Sequence, residues 1–131
     1  INPLLKLKRE VSYCSSRFDI MYENISQKGF IEVKGVTLEK DCIAQFPDAP
    51  TIRGTRHIQE LIKSSQEGYN SYIVFVIQMK GVKYFCPNDK MDPEFGTALR
   101  RAHSLNVKIM AFDCTVEKDS IAIDQPVETI L

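Results

Sequence analysis

Alternation of apolar and polar positions predicts strands in the first third of the chain. Residues 5–11 alternate apolar and charged side chains, as a half-buried strand does. Residues 18–22 and 29–38 have the composition of a second and a third strand, and residues 24–29 between them supply turn residues at a hairpin length. These segments predict an antiparallel meander of three strands.

Helical periodicity appears twice in the remainder of the chain. The first helix covers residues 56–63, with Thr51 or Gly54 at the position of its cap. The second helix follows Asp92 as its cap and has Pro93 at its first position. The apolar positions that predict the buried faces are Ile58, Leu61 and Ile62 in the first helix and Phe95, Leu99, Ala102 and Leu105 in the second.

Nearly continuous apolar residues at 71–79 are typical of a central strand that is covered on both faces. Residues 47–51 form a proline-containing loop, residues 107–112 form another strand, and residues 115–131 add one edge strand. The order strand-strand-strand-helix-strand-helix-strand predicts an α/β fold. We expect a mixed β-sheet flanked by helices, with right-handed crossovers between its parallel strands.

Composition limits the class of protein. The 131 residues, of which 44% are hydrophobic, fit a single domain with a real core. Lysine plus arginine balance aspartate plus glutamate at 17 each, so nucleic acid would bind a local patch rather than the molecule as a whole. No apolar run approaches the ~20 residues that cross a bilayer, and no signal peptide is recognisable, so we expect a cytoplasmic protein. The start at Ile1, without an initiating methionine, indicates a fragment or a trimmed domain.

The four cysteines give no sign of a metal site or a disulfide. Cys14, Cys42, Cys86 and Cys114 are far apart, without a Cys-x-x-Cys pair and without histidine at a zinc-finger spacing. They are predicted to be reduced and mostly buried thiols.

An Asp on one predicted strand and a Glu-x-Lys on the next form the candidate site. Strand alternation directs Glu32 and Lys34 to the same face, and two carboxylates such as Asp19 and Glu32 repel each other unless a proton or a cation lies between them. Mg²⁺, with Mn²⁺ as the alternative, prefers such oxygen ligands. Lys34 would activate the attacking water or stabilise charge on a phosphate. The carbonyl of Val33 would complete the ligand set, and Gln78 would orient a water or a phosphate oxygen.

Structural alternatives exist for each of these residues. Glu32 and Lys34 can instead form a solvated ion pair across the sheet, worth under ~1 kcal/mol. Asp19 can cap a turn or pair with Arg17. Glu10 is either a further metal ligand or a solvated charge on the first strand.

Basic residues near the first helix are candidates for phosphate contact. Arg53, Arg56 and His57 lie at the helix start, where backbone N–H groups also favour anions. Together with Arg17 they form the predicted nucleic-acid-binding set. The alternative is that the arginines are ordinary solvated charges and that His57 has a structural role.

Short motifs in a fixed order over residues 8–114 resemble the C-terminal part of the sugar fermentation stimulation protein A family. The motifs are Arg9-Glu10-Val11, Ser16-Arg17-Phe18-Asp19, Glu32-Val33-Lys34 with Thr37-Leu38-Glu39, residues 46–51, Arg53-Gly54, His57 with Glu60-Leu61, Gln78, Pro87-Asn88 and Asp92-Pro93. The resemblance implies a domain similar to PD-(D/E)xK nucleases, the restriction-endonuclease-like core. It also implies an N-terminal OB-fold-like DNA-binding domain that this chain lacks, and a role in regulating sugar use.

Two functions therefore stand as hypotheses. The first is a Mg²⁺-dependent phosphodiesterase that acts on DNA, or alternatively on RNA. The second is a non-catalytic DNA-binding transcription regulator that keeps the nuclease-like fold as a scaffold. A homodimer is compatible with either. An enzyme or sensor of small carbohydrates is a third option, but no glycine-rich phosphate cradle, nucleophile elbow or nicotinamide fingerprint supports it.

Overall fold

The fold contains nine strands and two helices in the residues that the computed structural model describes, 4–14 and 16–131. The chain start at Ile1 lies outside these residues. The elements in chain order are β1 (Leu4–Tyr13), β2 (Ser16–Asn24), β3 (Lys28–Val36), β4 (Leu38–Lys40), β5 (Ile43–Phe46), α1 (Ile52–Gln66), β6 (Asn70–Ile77), β7 (Tyr84–Pro87), α2 (Pro93–Ser104), β8 (Lys108–Glu117) and β9 (Ser120–Pro126).

A mixed sheet of six strands, in the order β1-β2-β3-β6-β8-β9, forms the body of the molecule. Strands β1, β2 and β3 pair antiparallel, which confirms the predicted meander. Strands β3, β6 and β8 pair in parallel, and the connections between them contain α1 and α2. Strand β9 pairs antiparallel with β8 at the other edge, which confirms the edge strand predicted within residues 115–131.

A smaller sheet of three strands, in the order β4-β5-β7, was not predicted. The third strand was expected to reach Leu38, but β3 ends at Val36 and Leu38 begins β4. Strands β4, β5 and β7 have only three or four residues each. Such segments are too short for alternation to distinguish them from loops.

Thr51, one of the two predicted cap positions for α1, and Asp92 are confirmed as helix caps, whereas Gly54, the alternative, lies inside α1, which begins at Ile52 rather than at residue 56. The Thr51 hydroxyl oxygen accepts a hydrogen bond from the Gly54 N–H at 2.8 Å, and the Asp92 Oδ1 accepts one from the Phe95 N–H at 3.1 Å. The other carboxylate oxygen of Asp92 accepts the Thr51 N–H at 2.8 Å, so this single side chain joins the starts of α1 and α2. No helix in the described part of the chain is long and apolar enough to span a membrane.

The hydrophobic core lies on one face of the large sheet. Ile73, Phe75 and Ile77 of β6 are fully buried on this face. The Phe75 ring lies 4.3 Å from the Phe85 ring and 6.4 Å from the Phe95 ring, between centroids. The predicted apolar positions of both helices belong to this core, with Leu105 only partly buried. Helices α1 and α2 therefore pack on the same side of the sheet.

The opposite side of the large sheet is half exposed, so the expectation that β6 is covered on both faces was wrong for the described residues. Tyr72, Val74 and Val76 of β6 are each half-buried on this side. The physical reason is that both crossovers place their helices on the core side. We call this surface the back face; its apolar residues are Ile20, Ile31, Val33, Tyr72, Val74, Val76, Met110 and Phe112.

The cysteines are free, but the prediction that most of them are buried was wrong. Cys14 and Cys42 are exposed, Cys86 is intermediate, and only Cys114 is buried. Cys14 and Cys42 lie in turns between strands, where sequence periodicity carries no information on burial.

Candidate active site

Asp19 and Glu32 meet where the pairing of β2 with β3 stops. The ladder between these strands ends at the pair Ile20–Ile31. Beyond it, the Val33 N–H donates to Asp19 Oδ2 at 2.7 Å, and the Asp19 N–H donates to Glu32 Oε1 at 3.2 Å. Side-chain bonds thus replace the regular ladder and hold the two carboxylates next to each other.

Strand irregularity surrounds Asp19. Phe18 and Met21 are both buried, although a spacing of three residues would direct them to opposite faces of a regular strand. In the neighbouring strand, Glu10 lies across from Asp19 and has a φ of 52°, in the left-handed region. Its side chain is exposed, and both sequence-based alternatives for Glu10 remain open.

Glu32 is buried with two nitrogen partners. Its side chain is 3% exposed, and its Oε2 lies 2.8 Å from Lys34 Nζ and 2.6 Å from His57 Nδ1. Lys34 Nζ lies 2.9 Å from His57 Nδ1. We call Asp19, Glu32, Lys34 and His57 the Glu32 group. Because Glu32 is buried, its contact with Lys34 is not the solvated surface pair of the alternative reading.

Burial dominates the electrostatics of this group. Desolvation raises the pKa of Glu32, the Lys34 ammonium opposes this, and the nearby Asp19 carboxylate adds to it. Desolvation lowers the pKa of His57 to about 4, and the charges of Lys34, Arg53 and Arg56 act in the same direction. His57 is therefore neutral at pH 7, and its Nδ1 either donates to Glu32 when it carries the ring proton or accepts from the Lys34 ammonium when it does not.

His57 occupies a different position from the one that the sequence predicted. It was grouped with the phosphate-contacting residues, but it is 2% exposed and lies against Glu32 and Lys34. The signal was available in the helical periodicity, because His57 is one turn from Leu61 and Gly54, which are also buried in α1. A polar residue on the buried face of a helix is expected to have a polar partner.

The Val33 carbonyl faces the same gap between β2 and β3. In a β-strand, the N–H and C=O of one residue point to the same side. The Val33 N–H donates to Asp19, so its carbonyl also lies on the side of Asp19, beyond the end of the ladder. This position agrees with the predicted role of Val33 as a main-chain ligand.

Gln78 is placed apart from the Glu32 group. Its N–H donates to the Val36 carbonyl at 2.9 Å, directly after β6 ends. Its side-chain Nε2 lies over Gly35, only 2.9 Å from the position that a Cβ would take there. Because Gly35 faces the side opposite to Lys34, the Gln78 amide lies on the back-face side of β3.

The predicted arginines surround the group at the surface. Arg17, Arg53 and Arg56 are exposed, and Arg17 precedes Asp19 in β2 by two residues. Arg53 and Arg56 lie in the first turns of α1, close enough to His57 for their charges to lower its pKa. The molecule has no net charge, yet positive side chains are concentrated beside this site.

The donor set limits which metal ion the site suits. In residues 4–14 and 16–131, no cluster of three or more His, Cys, Asp or Glu side chains has the arrangement of a metal site. Two neighbouring carboxylates and a carbonyl fit a hard cation that keeps several waters, such as Mg²⁺. They do not fit zinc, which prefers nitrogen and sulfur ligands.

Comparison with known proteins gives consistent results over almost the whole chain. Residues 2–120 match a family model described as the sugar fermentation stimulation protein RE domain. A sugar fermentation stimulation protein homolog from Ruminiclostridium cellulolyticum is 54% identical over 125 residues, covering 95% of this chain and 55% of the relative. A homolog from Clostridium beijerinckii is 51% identical over the same length, with the same shares covered.

A solved structure is also similar. It is the structure of Pyrococcus furiosus SfsA in complex with Ca²⁺. The TM-score is 0.89 at 33% sequence identity, covering 95% of this chain and 54% of that one. The chain thus spans about half the length of the relatives that it matches.

Proposed function

Because this chain belongs to the sugar fermentation stimulation protein family, we propose that it is a metal-dependent phosphodiesterase domain with a restriction-endonuclease-like core that acts on nucleic acid. The observation that carries the proposal is the contact of Asp19 with Glu32 beside a Lys34 ammonium at 2.8 Å from Glu32. A buried carboxylate next to a second carboxylate is costly for the fold, and perturbed groups of this kind concentrate at functional sites.

The donors present fit a divalent cation. Asp19, Glu32 and the Val33 carbonyl would hold Mg²⁺, or Mn²⁺ in its place, since both prefer oxygen ligands. When bound, the ion supplies Lewis-acid stabilisation of the phosphate and of the attacking water. The related Pyrococcus furiosus protein was solved in complex with Ca²⁺, which is likewise an oxygen-preferring cation.

Lys34 is the residue that we assign to the attacking water or the phosphate charge. Glu32 Oε2 accepts from its Nζ at 2.8 Å, and His57 Nδ1 lies 2.9 Å from the same atom, so the ammonium is held in one direction. A charged group that is already oriented before the substrate binds needs little rearrangement during the reaction. Partial burial also strengthens the electrostatic attraction between the Lys34 ammonium and a phosphate. In this proposal, His57 is a positioning residue that acts through Lys34 and Glu32.

The arginines at the rim provide the affinity for the nucleic-acid backbone. Arg53 and Arg56 lie at the start of α1, where unpaired backbone N–H groups add to the attraction for phosphate, and Arg17 adds a third charge. This local concentration of charge is what a molecule without net charge needs to bind a polyanion.

The decisive experiment is a cleavage assay with labelled single- and double-stranded DNA and RNA in Mg²⁺, Mn²⁺ or EDTA. We expect metal-dependent cleavage by the unchanged protein and by Lys90→Ala, which removes an exposed lysine in a turn. Lys34→Ala should lose at least about 100-fold in rate, the lower range for a group that transfers a proton. Equal cleavage by Lys34→Ala and the control would exclude this site.

A second candidate is a nucleic-acid-binding regulator that does not cut. The observation that favours it is the exposure of Arg53 and Arg56, which can contact phosphate whether or not the Glu32 group is catalytic. It predicts binding in EDTA that weakens as salt rises, because counterions are released on binding. Binding of this kind without cleavage in any metal would favour the regulator over the phosphodiesterase.

A further inference from the structure

The back face presents apolar side chains in register across neighbouring strands. Val33 pairs with Val74, and Val74 pairs with Met110, so the three form one row across β3, β6 and β8. Residues that pair directly in a sheet share a face and contact each other. The two flanking rows are Arg9, Ile20, Ile31, Tyr72 and Lys108 on one side and Gly35, Val76 and Phe112 on the other.

The two faces of the large sheet differ in how far their apolar side chains are buried. Ile73 and Phe75 are 0% exposed on the core side, whereas Val33 is 37% and Met110 is 39% exposed on the back face. Parallel strands with apolar residues on both sides normally have both sides covered. Within the described residues, this chain supplies a covering layer on the core side alone.

We propose that the back face is the docking surface for the part of the longer homologous protein that lies outside the region matched by this chain. The matched region makes up 55% of the Ruminiclostridium cellulolyticum homolog and 54% of the Pyrococcus furiosus protein. The remainder is therefore nearly as large as this chain and can form a domain. Contacts between domains of one chain bury roughly 600–1,500 Å².

The charges at the ends of one row argue against a second copy of this chain as the occupant. Arg9 and Lys108 lie at the two ends of the row that contains Ile31 and Tyr72. The three rows contain no acidic side chain. An isologous dimer would bring these cations together, so the occupant that fits has an apolar centre and an acidic rim.

Site-specific cysteine labelling tests this assignment. Val33→Cys and, separately, Met110→Cys introduce thiols on the back face, and Gln59→Cys introduces a control thiol on the exposed side of α1. Each variant is prepared as this chain and as a chimera in which the chain replaces the matched region of the Ruminiclostridium cellulolyticum homolog. Peptide mass spectrometry separates the new thiols from the native cysteines, and circular dichroism verifies folding.

The expected result is slower labelling of Val33→Cys and Met110→Cys in the chimera, by at least about tenfold, because thiol reactivity requires access. Labelling of Gln59→Cys should be the same in both proteins. Equal labelling of the back-face thiols in both proteins would overturn the proposal. Protection that instead grows with concentration in the chain alone, together with a dimer in sedimentation, would assign the face to a second copy. Neither result depends on whether the site cleaves nucleic acid.

Discussion

Two groups of charged side chains in this molecule have similar chemistry but opposite surroundings. In the Glu32 group, the side chains of Glu32 and His57 are each 3% exposed and that of Lys34 is 15% exposed. In what we call the Lys80 group, Lys80 contacts Asp113 at 3.0 Å and also contacts Asp124, and its side chain is 44% exposed.

The pKa directions separate the two groups. The hydrogen bond to Lys80 lowers the pKa of Asp124, and the hydrogen bonds to Asp124 and Asp113 raise the pKa of Lys80. Each partner therefore stabilises the charged form of the other. In the Glu32 group, burial raises the pKa of Glu32 and lowers that of His57 despite the partners. The comparison teaches that the Lys80 group is a surface ion pair, whereas the Glu32 group has the perturbed character of a functional site.

Activity should separate the groups most strongly. Glu32→Gln removes the carboxylate charge while keeping the shape of the side chain. Loss of a group that only supports a metal ligand already costs roughly 10–100-fold, so we expect metal-dependent cleavage to fall by about 100-fold or more when a proposed ligand itself is changed. Asp113→Asn, the matched change in the Lys80 group, should leave the rate unchanged. Initial rates on one labelled substrate measure both. A comparable loss in the two variants would remove the functional distinction between the groups.

Acid stability gives the next largest difference. The pKa of His57 in the fold, about 4, is below its ordinary value of 6.5, so the unfolded chain binds more protons between these values. This contribution is complete above pH 6.5 and is lost as pH falls towards 4. The free energy of unfolding, measured with urea, should therefore fall less for His57→Asn than for the unchanged protein as pH drops from 6.5 to 4. The expected difference over this window is roughly 1 kcal/mol or more.

The matched control for acid stability lies in the Lys80 group. Lys80→Met should leave the change of the unfolding free energy between pH 6.5 and 4 as it is in the unchanged protein. The pKa of Asp124 lies below its ordinary value of 3.8, so its titration falls below this window. Identical slopes for His57→Asn and the unchanged protein would show that His57 is not held neutral by the fold. NMR titration of the His57 ring in Lys34→Met should show a raised pKa, because the Lys34 charge is then absent.

The smallest expected effect concerns the Lys80 group alone. Lys80→Met should lower the urea midpoint only slightly, because exposed ion pairs contribute little to stability. The difference should vanish in about 1 M salt, where charges are screened within ~3 Å. A large loss of stability that persists in salt would mean that the Lys80 group stabilises the fold as strongly as a buried ion pair does.

The long elements of the fold could be predicted because their patterns are long. The meander, both helix caps and the parallel central strand follow from alternation, from capping residues such as Asp92, and from the apolar run at 71–79. The small sheet was missed because its strands are three or four residues long. The one-sided covering of β6 was missed because sequence shows that a face is apolar, not what packs on it.

The site could be predicted only in part. The adjacency of Asp19 and Glu32 follows from two neighbouring strands, and the structure places them together. The burial of His57 was readable from its place on the apolar face of α1, but its contact with Lys34 depends on how α1 packs on the sheet. Gln78 was assigned because β6 ends beside β3, but its side chain continues the alternation of Tyr72, Val74 and Val76 and lies on the back-face side, away from the Glu32 group.

The double use of Asp92 links parts of the chain that are far apart in sequence. One carboxylate fixes Phe95 at the start of α2 and Thr51 at the start of α1. The orientation of α1 decides how far His57 reaches towards Glu32. The starts of the two helices are therefore joined through one side chain, so the seat of α2 contributes to the distance between His57 and Glu32.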